Sequence, residues 1–255
     1  MLTVSRVSPW IVIPRPVNSG MRLICFPYAG GGASVFRSWA DNEFLSDIEI
    51  CTVQLPGRET RITEPPVSDL HRLVRMLCEA LEPYLDRPFA FFGHSIGALV
   101  SFELARELRR VRGIEPSHLF VSGCPAPHLQ DSERICDLPD DEFLERVCRF
   151  NGTPPEVLNH PELMQLMTPA LRADFLLRDR YAHREELPLS CPITAFGGMS
   201  DTHVDGLMLR AWRRHTHERF QLWLFQGDHF FLRSAQRPLL ETLSTMLSQR
   251  ERTAR

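Results

Sequence analysis

Residues 93–97 place one serine between two glycines, directly after an apolar run at residues 89–92. A strand that turns sharply into a helix holds its central residue in a strained backbone conformation, and only glycine-sized neighbours avoid clashing across such a turn. The pattern therefore predicts a nucleophile elbow that presents the Ser95 hydroxyl above a sheet. Because a serine hydroxyl is a weak nucleophile until a base takes its proton, a histidine and an acid are required further along the chain.

Candidates for the acid and the base follow two later strand-like runs. The run that ends at Phe196 delivers Asp201 to a loop, and the next run delivers Asp228 and His229. The order serine, acid, histidine is that of α/β-hydrolases and differs from the orders of the chymotrypsin and subtilisin folds. Adjacent side chains on a loop usually diverge, which favours Asp201 as the partner of His229, and a carboxylate at Asp228, beside the base, is the alternative that could compete with it. We predict Ser95, Asp201 and His229 as the catalytic triad.

The elements that must position these residues alternate along the chain. Several strand-like runs are apolar on both faces, as in a buried parallel sheet, and strands alternating with helices form a doubly wound α/β fold. The predicted fold class is α/β, an α/β-hydrolase with a mainly parallel sheet. Strands are predicted at residues 22–26, 48–53, 89–92, 118–121, 193–196 and 220–225, and helices at residues 70–85, 98–108 and from about 238, before a frayed polar tail at 249–255.

The stretch from about residue 132 to residue 187 interrupts this alternation. It contains helical patterns at residues 140–148, 161–167 and 169–181, and a turn-forming segment at residues 151–155. Helices inserted before the strand that carries the acid are where this fold places a lid. We predict one domain over residues 1–255, with a helical lid inserted at residues 132–187. Its surplus apolar side chains either line an acyl pocket or pack on the body of the fold, and both alternatives stay open.

Composition narrows the class of protein. A chain of 255 residues with 43% hydrophobic residues can bury one large core. The net charge of -3 gives no basic field for nucleic acid, which we therefore do not expect as a partner. Seven cysteines without a Cys-x-x-Cys pair favour reduced thiols in the cytoplasm and no metal site. Pro9, Pro14 and Pro16 interrupt the short apolar pieces at the N-terminus, so no export signal is expected, and no run approaches ~18 apolar residues, so no membrane association is expected.

Several short motifs follow one another along the chain in a fixed order. They are Phe26, Pro27, Tyr28, Ala29, Gly30 and Gly31; Leu55, Pro56, Gly57, Arg58 and Arg61; residues 93–97; Ser122, Gly123, Ala126, Pro127 and His128; Arg172, Ala173, Asp174 and Phe175; and Gly227, Asp228, His229, Phe230 and Phe231. With these motifs the chain resembles the type II thioesterases, the discrete α/β-hydrolases that serve polyketide synthases, nonribosomal peptide synthetases and some fatty acid synthases. It departs from the usual pattern of that family at Ile96, a conservative change, and at Asp228, where family members often have glycine.

The resemblance implies a thioesterase that hydrolyses acyl groups from the phosphopantetheine arm of carrier proteins and so clears stalled or mis-primed synthase modules. Ser95 would attack the thioester carbonyl, His229 would move its proton and Asp201 would orient the imidazole. The oxyanion hole would combine the amide of Ile96, the residue after the nucleophile, with an amide that the resemblance places at Ala29. No cofactor is expected, because the substrate carries the phosphopantetheine.

Further expectations concern substrate contacts. The resemblance and the apolar cap suggest Tyr28, Met167, Phe175 and Phe230 as pocket residues. Arg58 and Arg61 are candidates for contact with an acyl or peptidyl carrier protein, because arginine forks match phosphate oxygens. The alternative for both is a structural ion pair, for example with Glu59 or Glu64, and Arg172 and Asp174 suggest a helix-to-body salt bridge that fixes the lid's hinge. His94 is not expected to act as a base, and the protein is expected to be a monomer.

Two other functions compete with this prediction. A generic carboxylesterase or lipase would use the same triad, although the loop after the first strand lacks the His-Gly-Gly-Gly pattern of many esterases. A catalytically silent partner of a synthase belongs to another class, and the intact set of triad residues argues against it. The sequence leaves the acyl chain and the cognate synthase undetermined.

Overall fold

The computed structural model describes residues 8–18, 20–129, 134–150 and 160–253. These residues form a seven-stranded sheet in the order β1-β3-β2-β4-β5-β6-β7. The first strand pairs antiparallel with the third, and the remaining pairs are parallel. The strands are β1 (Ile11–Val12), β2 (Arg22–Phe26), β3 (Glu49–Val53), β4 (Phe89–His94), β5 (Leu119–Ser122), β6 (Ile193–Gly198) and β7 (Phe220–Phe225).

The α/β-hydrolase prediction is confirmed, and all six predicted strands are present within one or two residues of their predicted bounds. Strand β1 was not predicted. It contains only two residues, Ile11 and Val12, which is too short for an alternating pattern to show, and its place depends on pairing with Val53 and Thr52 of β3. Such an edge strand is recognisable only from its neighbour.

Helices cover both faces of the sheet. The α-helices are α1 (Leu70–Ala80), α2 (Ile96–Arg112), α3 (Asp140–Cys148), α4 (Pro161–Asp179), α5 (Gly206–Arg210), α6 (Phe231–Ser234) and α7 (Gln236–Thr253). Short 3-10 turns lie at Ala33–Trp39, Glu43–Leu45, Glu59–Arg61, Glu82–Tyr84, Pro127–Leu129, Ile135–Asp137 and Ala211–His215. None of the helices in the described ranges is long and apolar enough to cross a membrane.

Successive side chains of the central strands pack into two apolar cores, one on each face of the sheet. In β4 the buried Phe91 packs with the helices α1 and α2, whereas its neighbour Phe92 packs with Trp39 and helix α7 on the other face. Successive strand side chains point to opposite faces, so a strand that is apolar at every position serves both cores. Each fully buried phenylalanine contributes about 2–3 kcal/mol of transfer free energy, so these layers hold the carboxyl ends of the strands firmly in place.

The cap segment, here residues 134–150 and 160–179, has a small core of its own. Phe143, Val147, Leu171 and Phe175 pack together in a third apolar cluster, separate from the two cores of the sheet. Helix α3 has the predicted bounds. The predicted turn at residues 151–155 and the start of the predicted lid lie outside the described residues.

Several helix boundaries differ from prediction: α1 ends at Ala80 instead of residue 85, and α2 extends beyond residues 98–108 at both ends. Residues 161–167 and 169–181 were expected as separate helices, but α4 runs through Pro169 as one helix. Proline removes one backbone donor, and here the Thr168 hydroxyl donates to the carbonyl of Met164 at 2.7 Å, in the turn that the proline disturbs. The tail was expected to fray from Gln249, whereas the backbone of α7 stays helical to Thr253.

Candidate active site

Ser95 lies at the tight turn between β4 and α2 with an unusual backbone conformation. Its φ is 54° and its ψ is -123°, a strained region for a residue with a side chain. The turn needs its flanking glycines, because a Cβ at Gly93 would lie 2.2 Å from the Gly97 carbonyl oxygen and one at Gly97 would lie 2.3 Å from that of Phe26. The Ser95 amide donates to the Ser122 carbonyl of β5 at 2.7 Å, which anchors the turn.

Asp201 and His229 meet at the ends of β6 and β7. The imidazole Nδ1 lies 2.7 Å from Asp201 Oδ2, with both side chains at 5% exposure or less. The other carboxylate oxygen accepts from the amides of His203 at 2.8 Å and Val204 at 3.1 Å. Burial acts to raise the pKa of Asp201, but the imidazole and the two amides outweigh it, so the net pKa is lowered. The carboxylate is thus ionised and holds Nδ1 as the protonated nitrogen.

Asp228 does not approach the imidazole in this way. Its Oδ1 accepts from the Phe230 amide at 2.8 Å, within its own loop. The structure therefore pairs His229 with Asp201, the arrangement expected from the divergence of adjacent side chains. Ser95 and His229 line the same cavity, although no hydrogen bond joins their side chains among the described residues. Catalytic hydrogen bonds are often long before substrate binds, so the proton transfer from Ser95 stays a prediction.

His94 is fully buried beneath the base. Its Nδ1 lies 2.8 Å from Ser122 Oγ, and its ring centroid is 5.2 Å from that of His229. Burial, followed by the charge of His229, lowers the pKa of His94 well below its usual value. A neutral imidazole without access to the nucleophile side fits the expectation that His94 is not a base.

The two predicted oxyanion donors border the same cavity as Ser95. Ile96 is the first residue of α2, so its amide has no carbonyl partner one turn earlier. Ala29 is flanked by a turn in which the Gly31 amide donates to the Tyr28 carbonyl at 2.9 Å. The next amide, of Gly30, is already bound to Asp174 Oδ2 at 2.7 Å. Both predicted amides thus lie at the cavity, and their role stays a prediction.

A cavity of about 550 Å³, called here the larger cavity, opens above Ser95. All four predicted pocket residues line it: Tyr28, Met167, Phe175 and Phe230. Phe175 also packs edge-on against Phe143 in the cap's own core at a centroid distance of 5.6 Å. Phe175 thus lines the cavity, as the first alternative expected, and it also packs inside the cap segment, which neither alternative included.

The structure contradicts the expected carrier contact at Arg58 and Arg61, because neither lies on the surface. Arg58 forms a two-point ion pair with Asp174 of α4, at 2.5 and 2.9 Å, and both side chains are at most 6% exposed. Arg61 pairs with Glu64 at 2.6 Å and lies over the Trp10 ring at 4.2 Å. The predicted alternative of an ion pair with Glu64 is thus present for Arg61.

The sequence did not reveal the partner of Arg58. Arg172 and Asp174 were expected to form a helix-to-body salt bridge, and Asp174 does so, because it joins the cap segment to Arg58 of the body and to the amide of Gly30. Arg172 does not, since it stays within the cap segment and pairs with Asp140 at 2.5 Å. In the sequence, the only indication of this contact was that Gly30, Arg58 and Asp174 all fall in the family motifs.

A group of three histidines was also missed. His128 Nδ1 lies 2.8 Å from His215 Nε2, and the His183 ring lies 5.2 Å from that of His215. Burial, then the charges of His128 and His183, lowers the pKa of His215 to about 3. Among the described residues, no group of three or more histidine, cysteine, aspartate or glutamate side chains is arranged to hold a metal ion.

Comparison with known proteins agrees with this geometry. A family model described as the thioesterase domain matches residues 21–247. Linear gramicidin dehydrogenase LgrE from Brevibacillus parabrevis is 47% identical over 250 residues, covering 95% of each chain. Gramicidin S biosynthesis protein GrsT from Aneurinibacillus migulanus is 43% identical over 250 residues, covering 97% of each chain. The solved structure of the type II thioesterase BorB from the borrelidin biosynthetic cluster superposes with a TM-score of 0.85 at 34% identity, covering 93% of this chain and 97% of that one.

A mainly parallel sheet with a serine at the β4–α2 turn and an acid and a histidine after β6 and β7 defines an α/β-hydrolase. Within that class, the chain belongs to the thioesterase family, because the family model spans most of its length.

Proposed function

We propose that this chain hydrolyses acyl thioesters carried on the phosphopantetheine arm of the carrier proteins of a peptide or polyketide synthase, and so clears stalled or mis-primed acyl groups. The observation that carries the proposal is the imidazole of His229, held by Asp201 at 2.7 Å on the cavity that Ser95 lines. The relatives' names supply the context of antibiotic biosynthesis. One relative is called a dehydrogenase, but a serine elbow with an acid-held histidine supports acyl transfer.

The proposed reaction has two halves. In the first, Ser95 Oγ attacks the thioester carbonyl while His229 Nε2 takes the hydroxyl proton, and the carbon–sulfur bond breaks as that proton passes to the leaving thiolate. In the second, His229 takes a proton from water, the hydroxide attacks the acyl-serine, and the proton returns to Ser95 as the acid leaves. Asp201 keeps the imidazole in the tautomer that leaves Nε2 free to accept and stabilises the imidazolium.

The amides of Ile96 and Ala29 are the proposed donors to the oxyanion that develops on the carbonyl. In a protease with a comparable hole, removal of one donor raises the barrier by about 3 kcal/mol. The strained turn at Ser95 and the Asp174 bond to Gly30 act as positioning elements, because each fixes the backbone next to one proposed donor. Phosphopantetheine enters as part of the substrate, so the proposal needs no resident cofactor.

A release assay tests the proposal against its alternatives. One acyl group is presented on a holo carrier protein, on coenzyme A and as a simple ester, with Ser95→Ala as the control. We expect hydrolysis of both thioesters, with the highest kcat/KM on the carrier because remote contacts add binding energy. Preference for the ester would favour a carboxylesterase. Absence of turnover together with absence of labelling by a serine-directed phosphonate would favour a silent synthase partner.

A further inference from the structure

A second cavity, of about 290 Å³ and called here the smaller cavity, reaches the same nucleophile. It shares Ser95, Ile96 and His229 with the larger cavity. Phe150 lines both, and its ring stacks on that of His203 at a centroid distance of 4.1 Å. A thioester has one substituent on the carbonyl carbon and another on the sulfur, and the two substituents extend from the reacting bond in different directions. Two cavities that meet at one serine match that requirement.

The two cavities differ in their charged side chains. The described residues around the larger cavity include three arginines, Arg58, Arg178 and Arg233, but also the two carboxylates Glu59 and Asp174, the second of which pairs with Arg58. Those around the smaller cavity include Arg146, Arg149 and Arg178 and no carboxylate. Such an excess of guanidinium groups favours an anionic ligand, and guanidinium forks match phosphate oxygens. The smaller cavity is thus the better fit for the end of the substrate that carries a phosphate.

Arg149 and Arg178 keep donors available for such a ligand. Arg149 bonds to Glu145 at 2.7 Å, but that pair is more than half exposed on both sides, and exposed pairs contribute at most about 1 kcal/mol. Arg178 bonds to Asp179 at 2.7 Å and lies over the Phe175 ring at 4.8 Å, which fixes the guanidinium at the edge of both cavities. A guanidinium has five N–H donors, so one carboxylate partner does not exhaust either residue.

We infer that the smaller cavity receives the pantetheine arm and that Arg149 and Arg178 bind its phosphate, while the larger cavity receives the acyl chain. The inference rests on the proposed function and extends it to the residues that recognise the arm. The phosphate lies at the exposed end of the arm, next to the carrier protein, and Arg149 is exposed at the rim of the cap segment. Glu145 competes with the phosphate for Arg149.

The test compares two synthetic thioesters of the same acyl group, acyl-pantetheine and acyl-4′-phosphopantetheine, which differ only in the phosphate. Wild-type protein is expected to have a KM about tenfold lower for the phosphorylated thioester, since one charge-assisted hydrogen bond contributes about that factor. Arg149→Gln should remove most of this difference by raising the KM of the phosphorylated thioester alone. Glu145→Gln should enlarge the difference, because it frees the arginine.

Arg110→Gln is the matched control, since Arg110 is an exposed arginine with a glutamate partner one turn away, on α2 and outside both cavities. It should leave the KM ratio unchanged. An equal KM for the two thioesters in wild-type protein, or a ratio that Arg149→Gln does not alter, would overturn the inference while leaving the thioesterase proposal standing. Hydrolysis of neither thioester would contradict the proposed function itself, and the inference with it.

Discussion

The body of the fold and the cap segment position their site residues in different ways. On the body, Ser95, Asp201 and His229 follow the parallel strands β4, β6 and β7, and a bond of 2.7 Å joins the last two residues. The cap segment contributes apolar walls and is joined to the body by the buried pair of Arg58 and Asp174, which are 116 residues apart in the chain. The ends of the strands thus position the proposed chemistry, whereas the substrate walls are joined to the body by the Arg58–Asp174 pair, by the bond from the Gly30 amide to Asp174 and by Leu177 of α4 in the body's core.

The largest expected effect separates the two acids near His229. Asp201→Asn should lower turnover by about 10⁴-fold, because an amide favours the wrong imidazole tautomer. Asp228→Asn should have a much smaller effect, since its carboxylate bonds to its own loop. Steady-state kinetics on one acyl thioester, with circular dichroism to verify folding, measures both. Greater damage from the change at Asp228 in a folded protein would show that the assigned orienting acid is the wrong one.

The ionic contact between cap and body gives the next largest effect. Arg58→Met leaves Asp174 buried without its cation, and breaking such a pair costs about 3–5 kcal/mol of unfolding free energy. The double change Arg58→Met with Asp174→Leu should recover much of that loss, because it removes both buried charges. Urea titrations report the unfolding free energies, and Arg110→Gln is the exposed control, with an expected change within ~1 kcal/mol. A double variant no more stable than the single one would argue against a simple ion pair.

Within the cap segment, Phe175 and Met167 should respond differently to truncation. Phe175→Ala removes a ring from the cap's core and should cost about 3–5 kcal/mol of stability, along with a shift in acyl-length preference. Met167 is only partly buried beside the larger cavity, so Met167→Ala should shift the length preference with a smaller loss of stability. Melting temperatures, measured together with hydrolysis rates on a series of acyl-chain lengths, separate the loss of stability from the shift in length preference. If both variants lose stability but keep the wild-type preference for acyl-chain length, neither side chain contributes to the selection of the acyl chain.

The smallest effect concerns acid stability at the three histidines. The pKa of His215 is lowered to about 3 by burial and by the neighbouring His128 and His183, whereas a histidine in the unfolded chain titrates near 6.5. Protons therefore bind the unfolded chain more readily, so stability is greatest above about pH 6.5 and falls as the pH drops toward 3. His215→Gln should flatten that decline by up to a few kcal/mol, with exposed His71→Gln as the control. If the melting temperature falls by the same amount between pH 7.5 and pH 5 in wild-type protein, His215→Gln and His71→Gln, this contribution of His215 is excluded.

The comparison of body and cap also explains what the sequence could predict. The buried strands and the Gly93 to Gly97 elbow are patterns within a few residues, so both were found from the sequence. The pairing of Arg58 with Asp174 could not be, because it depends on how α4 packs over the glycine loop. The passage of α4 through Pro169 was not predicted either, because a proline in a helical pattern indicates a break. Of the arginines of the smaller cavity, Arg146 and Arg149 lie on and directly after α3 and Arg178 lies on α4, so only the fold brings them together.

The most direct test of the central claim is the mass of the protein after rapid quenching with an acyl carrier protein. The proposed mechanism predicts that the chain gains the mass of the acyl group, on the peptide that contains Ser95, while the carrier returns to its holo form. Ser95→Ala should gain no mass and should leave the carrier acylated. Release of the acyl group by Ser95→Ala at the wild-type rate would contradict the account.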